Sequence, residues 1–497
     1  MKLSLLDFVL AYRKAKVDVF YSSISRREDL MLYEANLEQE LEKLREKVAN
    51  LEPYSFNDRS WTAYPVSVEA ELDPNNAFTS DAMEEWVSLI AGEPKPKATF
   101  RVMESLPIEF HVLSSLWIQK IGERLDRKLS ESIYGCRLRR KKDSDELNLL
   151  SLGNFDNYIA PFRRWRNDGV SAIRKELEKD NRVIAISADV SSYYHSLDVS
   201  FLKNQEFLDL FDLRLTKKEK AFHCYFVDQL IAWAEASPLE YGLPVGLSAS
   251  GVIANIALFE LDRVISEELS PIFYGRYVDD IVFVLPTKKE KSPADLWKWI
   301  LKRSSGLLRR ENANNQSGAV SFVSPRLRDS KIVFENKKNR VFNLGGVKGL
   351  ALLKKIEANL NANSSEWRGM PDIPEESSDV ATDLFRVLSE SGDAVTSLKD
   401  MNFASIKRSE LAMKLRDYEA YARSIPQAAW KDQRRSFLCA FADLIVTPLD
   451  LFSFFPYLSR VLTIGIASGD YEELKKIILK MVSTLTAIRT GAVAHLK

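Results

Sequence analysis

Two adjacent aspartates, Asp279 and Asp280, interrupt an otherwise apolar stretch, YGRYVDDIVFVLP (274–286). Tyr274, Tyr277 and Val278 precede them and Ile281, Val282, Phe283 and Val284 follow, residue types that suit paired strands. A hairpin tip is the ordinary place for such an Asp. An exposed hairpin prefers Asn-Gly or Asp-Gly, however, and this tip has no glycine. Two like charges held side by side point to a divalent cation, because hard Mg²⁺ takes carboxylate oxygens together with phosphate oxygens. A third carboxylate has a similar setting: in RVIAISADV (182–190) an alternating, β-branched run ends at Asp189. Only tertiary folding can unite Asp189 with Asp279, and strand ends of one sheet would do so. Three carboxylates at one sheet edge make a two-metal site, which clamps the attacking and leaving oxygens of an in-line phosphoryl transfer.

The elements that must position these acids are legible in outline. The chain has 497 residues, 45% hydrophobic and 28% charged, the profile of a soluble globular protein of two to four domains. Seventy basic residues balance seventy acidic ones, so no overall field favours nucleic acid, although a local groove can still be basic. Cys136, Cys224 and Cys439 are widely spaced and read as free, buried thiols. The opening MKLSLLDFVLAYRKAK reads as an amphipathic helix and not a signal peptide, since Asp7 breaks its apolar run. No stretch reaches transmembrane length, so a cytoplasmic protein without membrane contact is expected.

Leu37, Leu41, Leu44, Val48 and Leu51 follow a short heptad pattern, read as a helix on the protein body or a coiled-coil contact. Residues 53–98 look irregular. Helices are expected over 108–133, 161–180, 214–239, 294–311 and the segment after the glycine-punctuated loop 242–246. KIVFENKKNRVFNLG (331–345) reads as a β-hairpin. Residues 362–395 are polar and acidic, a linker or long loop. From 396 to 497 the pattern is helical, with Val461–Ile466 alone able to form a strand. The expected organisation is an N-terminal helical and irregular extension (1–97), a central domain (98–350), an acidic linker (351–395) and a helical C-terminal domain (396–497, its helices starting as early as 350).

Several motifs in order resemble a reverse-transcriptase palm: Asp189 through Tyr194, GLPVGLSASGVIANIAL (242–258) opening a long helix, and the Tyr-x-Asp-Asp of RYVDDIVFV. Upstream, IYGCR (133–137) resembles the SYGFR segment of bacterial and intron-type members. Downstream, Lys331 and FNLG (342–345) resemble the lysine-bearing motif and the primer grip. The resemblance covers roughly 98–350. It implies an α+β fold, fingers and a palm of antiparallel sheet with helices. It also implies a DNA polymerase acting on dNTPs with two Mg²⁺ ions, Mn²⁺ being able to replace them. Asp189, Asp279 and Asp280 are then the catalytic, metal-binding triad, completed by the Val190 carbonyl. Tyr194 is similar to the steric gate that excludes a 2′-hydroxyl, with core packing the alternative for it and for Tyr193. Gly246 keeps backbone approach to the nucleotide open. Lys331 is either a proton donor to pyrophosphate or a surface lysine. Arg101 is either a triphosphate clamp or a structural ion pair. Arg137, Arg139, Arg140, Lys141 and Lys142, with Arg163, Arg164 and Arg166 around Trp165, read as a phosphate-tracking groove or a solvated basic face.

The chain departs from the family where Pro-Gln-Gly becomes Pro244-Val245-Gly246, since valine offers no hydrogen bond to a templating base. With the helical C-terminus and the opening AYRKAKVDVFYS (11–22), this resembles the abortive-infection (Abi) reverse transcriptases of bacteria, the AbiK-like branch. That likeness implies an all-α helical-repeat C-terminal domain, phage defence and homo-oligomers. It further implies template-independent, protein-primed synthesis with single-stranded DNA attached to the protein. The alternative is a templated RNA-directed DNA polymerase of a retroelement; a third reading is a scaffold without catalysis. A priming phenol suits this chemistry, and Tyr21, Tyr33, Tyr54 and Tyr64 are the candidates.

Overall fold

The structure, a computed structural model, describes residues 3–22, 27–70, 81–239, 241–311, 319–334, 339–354, 385–387, 404–406 and 408–496. In chain order the strands are β1 (Trp61–Glu69), β2 (Lys97–Glu104), β3 (Arg182–Asp189), β4 (Phe273–Tyr277), β5 (Asp280–Thr287), β6 (Leu308–Arg310), β7 (Val320–Phe322), β8 (Ile332–Phe334), β9 (Arg340–Leu344), β10 (Phe385–Val387), β11 (Ala404–Ile406) and β12 (Val493–Leu496). The chain forms two compact units, each drawn from two stretches. Met1–Thr62 and Val102–Leu360 make the first; Ala63–Arg101 and Asn361–Lys497 make the second. The segment 1–97, read from the sequence as one extension, is therefore divided after Thr62. Most of the expected linker lies outside the described residues, apart from β10, which pairs with β11.

The first unit is built on an antiparallel sheet in the order β4-β5-β3-β9. β3 is one of its two interior strands, and Val183, Ile184, Ala185 and Ile186 are buried on both faces. Period-two alternation assigns the faces. Val183, Ala185 and Val284 meet Ile173 and Leu177 of the helix Ile159–Glu178. Ile184, Ile186 and Ala188, with Ile281, Phe283 and Leu285, join the main core. That core is filled by Ser248–Ala257, a helix buried at every residue, and by Lys217–Ala236, which opens on a Thr216–Glu219 capping box. The helix Leu5–Tyr21, capped by Ser4 and Asp7, buries Phe8, Ala11, Tyr12, Ala15 and Val19 at helical spacing. Leu41, Leu44 and Val48 of Leu37–Asn50 are buried in the same core, so the short heptad is a helix lying on the body of its unit.

The KIVFENKKNRVFNLG segment is not a hairpin. β8 pairs with β7, whereas β9 pairs with β3 as an edge of the four-stranded sheet. The helix expected over 108–133 runs from Ile108 to Asp126 through a π-helical turn at Ile118–Gly122.

The second unit contains the helices Ala82–Ala91, Arg408–Ser424, Lys431–Leu444, Leu451–Ser468 and Tyr471–Gly491. Its core gathers Trp86, Leu411, Leu415, Phe437, Phe441, Val461 and Ile477. Several readings need correction. The stretch 53–98 holds β1, a helix and the start of β2, and the unit is not all-α: β12 runs parallel to β2, Val493 opposite Lys97 through Leu496 opposite Phe100. Val461–Ile466 is helical, because it continues the stripe on which Leu451, Phe454, Leu458, Val461 and Ile464 are buried. That helix, Leu451–Ser468, is also long and apolar enough to cross a membrane by length and composition, contrary to the reading that no such stretch exists; its stripe is buried in the unit's own core.

Candidate active site

β3 and β5 are paired so that Asp189 faces Asp280, and β4 and β5 so that Tyr277 faces Asp280. Val278 and Asp279 are thereby left as the two-residue turn. The apolar runs that anchor these strands thus deliver all three aspartates to one end of one sheet. Asp189 and Asp279 are half-buried and Asp280 is exposed. The end of β3 is tied on its other side to β8, where the Ser191 amide donates to the Val333 carbonyl (2.9 Å) and Val190 bridges Phe334. The electrostatic reach of Asp279 is visible in its neighbours. Burial, reinforced by the Asp279 charge, pushes the Cys136 thiol up to about 11.

The turn is held in an unusual conformation. Val278 has φ +58°, a region unfavourable for a β-branched residue. Gly135, from the IYGCR segment, makes the fit possible: a Cβ there would lie 2.9 Å from the Val278 amide nitrogen and from its Cγ2. The Tyr134 amide donates to the Arg276 carbonyl (2.8 Å) and the Arg276 amide to the Ser132 carbonyl (2.8 Å), which fixes this segment against β4. The sequence reading quoted Arg276 within its motif without a role, and passed over Asp262 and Asn255. All three are buried, and Arg276 hydrogen-bonds directly to both of the others.

The remaining candidates separate by position. Tyr193 packs in the core, its hydroxyl donating to the Ala254 carbonyl, while Tyr194 is half-buried beside it. The Tyr194 carbonyl accepts from the Leu243 amide (2.8 Å), joining the first motif to the glycine-punctuated loop. In that loop Gly246 has φ +113° and is exposed; a side chain there would meet the Glu104 carboxylate at 2.9 Å. Val245 is half-exposed, with its carbonyl held by the Glu104 amide (3.0 Å). Lys331 lies at the same place. Its amide donates to the Ser196 carbonyl (2.8 Å), and its ammonium stands 5.5 Å above the Tyr241 ring. Backbone bonds and the Lys331–Tyr241 contact thus join the Tyr194 turn, the glycine-punctuated loop and Lys331 to one another.

Arg101 is exposed on β2 and belongs to the second unit, as does Tyr64, whose ring meets Phe455 edge-on. The hydroxyls of Tyr33 and Tyr54 are buried, and burial raises both phenols well above the usual range, the opposite of what an exposed priming nucleophile requires. Tyr21 is 78% exposed. The basic run also differs from a phosphate groove. Arg137 and Arg140 converge on the fully buried Asp126 (3.1 and 2.8 Å), Arg139 pairs with Asp156, and Lys141 with Glu146. Arg164 stacks over the Tyr134 ring at 5.4 Å.

Among the described residues no three His, Cys, Asp or Glu side chains form a self-sufficient metal cage. Mg²⁺, however, keeps several waters and binds through one or two carboxylates plus substrate phosphates. Half-buried Asp189 and Asp279, with the Val190 carbonyl following Asp189 in the chain, fit that mode.

A comparison with known families matches residues 93–347 to the family described as Reverse transcriptase (RNA-dependent DNA polymerase). The chain belongs to that family, and it is a reverse-transcriptase-like nucleotidyltransferase. Such domains are generally dependent on divalent metal and use nucleotide substrates and DNA. No curated protein matches the chain.

Proposed function

We propose that the chain is a DNA polymerase of phage defence, of the abortive-infection kind, which joins dNTPs without reading a template and starts the strand on one of its own hydroxyls. The observation that carries the polymerase reading is the register that sets Asp189 opposite Asp280 with Asp279 in the adjoining turn. Asp189, Asp279 and the Val190 carbonyl would hold two Mg²⁺ ions, which when bound stabilise the attacking and leaving oxygens of the displacement. Asp280, exposed at the start of β5, plays a supporting part. By the family resemblance, the Tyr194 ring would meet the sugar and Lys331 would give a proton to the departing phosphate.

Untemplated synthesis is supported by Val245. It stands half-exposed on a backbone fixed by Glu104, in the place where the family pattern has an amide side chain. Protein priming, a covalently attached product, homo-oligomers, a helical-repeat C-terminal region, a cytoplasmic location and defence itself are supported by the resemblance to Abi reverse transcriptases. Of the priming candidates, Tyr21 has the exposure that the role needs. Tyr158, missed in the sequence, is 69% exposed, and its carbonyl lies 3.5 Å from the Tyr277 hydroxyl beside the turn.

The test is incubation of the purified chain with Mg²⁺ and labelled dNTPs, without template or primer, beside an Asp279→Asn/Asp280→Asn control. Label that stays with the protein on a denaturing gel until protease releases it is the expected result. Synthesis only on a primed RNA template would replace this reading with templated RNA-directed polymerisation. In cells, the same double substitution should abolish protection against phage; retained protection would favour the non-catalytic scaffold.

A further inference from the structure

Arg276 is completely buried, and each of its side-chain nitrogens donates a hydrogen bond. Nε and Nη2 engage the two oxygens of Asp262 at 2.8 and 2.7 Å. Nη2 also reaches the Asn255 carbonyl (3.0 Å), and Nη1 reaches Asn255 Oδ1 (3.1 Å). The second Nη1 bond, at 2.7 Å, goes to the carbonyl of Val278. The frame around the guanidinium is itself tied down. The Tyr274 hydroxyl donates to Asp262, and the Asn255 amide donates to the carbonyls of Gly135 and Cys136 (2.8 and 3.2 Å).

A buried ion pair is weak evidence of a gain in stability, since packed apolar residues often serve as well. The question is what this one does. Asp262 and Asn255 satisfy most of the guanidinium. The remaining bond goes to the carbonyl of Val278, a residue of left-handed conformation immediately before Asp279. Val278 is unfavourable in that conformation. Its retention needs an attractive force on one side and room on the other. The short charge-assisted bond from Arg276 supplies the first and Gly135 the second.

We infer that Arg276 is a positioning residue: through the Val278 carbonyl it holds the left-handed turn that fixes the Asp279 carboxylate relative to Asp189. This rests on the proposed metal-holding role of Asp279. The two are separable. Mn²⁺ titrated into the full-length protein alone, followed by electron paramagnetic resonance, reports on that role through Asp279→Asn and on the present inference through Arg276→Lys.

Lysine keeps the charge opposite Asp262 but lacks the planar fork. Arg276→Lys should weaken Mn²⁺ binding by about tenfold. It should lower kcat for dNTP incorporation by about 10²-fold, with the dNTP KM moving less than about threefold, as expected for a misplaced reacting centre. The decisive variant adds Val278→Gly to Arg276→Lys. Glycine adopts the left-handed region freely, so about a tenfold recovery of kcat is expected although a buried side chain has been removed. If Arg276 merely supports the fold, Val278→Gly will rescue nothing and will depress melting further. That result, or wild-type kcat and Mn²⁺ affinity in Arg276→Lys, overturns the inference. Should Arg276→Lys fail to fold, Asn255→Ala leaves the Arg276–Asp262 pair in place and removes one oxygen that orients Nη1. Its kcat should fall about threefold to tenfold and again recover with Val278→Gly; absence of both effects is equally fatal. Unchanged Mn²⁺ binding in Asp279→Asn would instead dispose of the metal role, whatever the Arg276 variants do.

Discussion

Each compact unit buries an arginine–aspartate pair, and the two pairs are put to different uses. In the first unit Arg276 grips Asp262 and extends a donor to the Val278 carbonyl in the turn that carries Asp279. In the second, Arg434 grips Asp470, which precedes the helix Tyr471–Gly491. Its other nitrogen goes to the Gln427 carbonyl (3.0 Å), and its guanidinium lies 4.9 Å from the Trp430 ring centre. Both arginines are buried and hydrogen-bonded. The Arg434 pair fastens helix ends to one another. The Arg276 pair ends at a strained turn beside three aspartates. The same chemical device therefore serves architecture in one place and the geometry of a reacting centre in the other, and the difference lies in where the last donor goes.

The contrast is sharpest for substitutions that separate activity from stability. Asp279→Asn, or Asp189→Asn, should reduce nucleotidyl transfer by about 10³-fold or more while the melting temperature stays close to that of the parent, measured by single-turnover incorporation and calorimetry side by side. Arg434→Met should do the reverse. It strands Asp470 and should cost about 3–5 kcal/mol of stability, with incorporation per folded molecule unchanged; Arg434→Met/Asp470→Leu should regain most of the loss. A drop in turnover with Arg434→Met would erase the distinction.

A third test uses pH. Burial pushes the Asp450 carboxyl up to about 6, so the folded second unit favours the protonated form. Its neighbour Glu85 is raised by burial and by Asp450. A raised carboxyl contributes stability that is complete below its unfolded value, near 3.8, and is lost as pH rises through 6. Chemical denaturation from pH 4 to 6 should therefore show Asp450→Asn removing a decline of up to about 3 kcal/mol. A smaller effect is expected at Gly135. Gly135→Ala forces a Cβ against Val278 and should cost about 1–3 kcal/mol. Turnover should fall more than melting predicts, because the displaced atoms belong to the turn.

These particulars show what could be read ahead of the structure. Asp189 and Asp280 were legible because β-branched runs end at the first and begin at the second, and the end of an apolar strand is a local signal. The partners of β8 and β9 were not legible. Two short apolar runs separated by polar residues look like a hairpin, and only the long-range choice of neighbour sends one to β7 and the other to β3. The Arg137–Lys142 run looked available for phosphate, because Asp126, Glu123 and Asp156, which neutralise most of it, come from separate segments. Val461–Ile466 carries strand-forming residues, but burial along a longer helical stripe overrides their preference. Arg276 left no sign of its role at all. Its meaning depends on the backbone conformation of Val278 and on the room that Gly135 leaves, neither of which shows in the sequence.

The division of the chain after Thr62 and Arg101 also governs how the protein can be made and dissected. Neither unit is a contiguous piece of sequence. During synthesis, Trp86 and the Lys97–Phe100 edge emerge from the ribosome some hundreds of residues before β12 and the C-terminal helices that complete their unit. Early chains must therefore carry exposed apolar surface until those helices and β12 have been made. A truncation placed after the palm would not free an intact polymerase domain. It would leave residues 63–101 as an orphaned insertion, and a soluble version would need that segment replaced by a short tether from Thr62 to Val102.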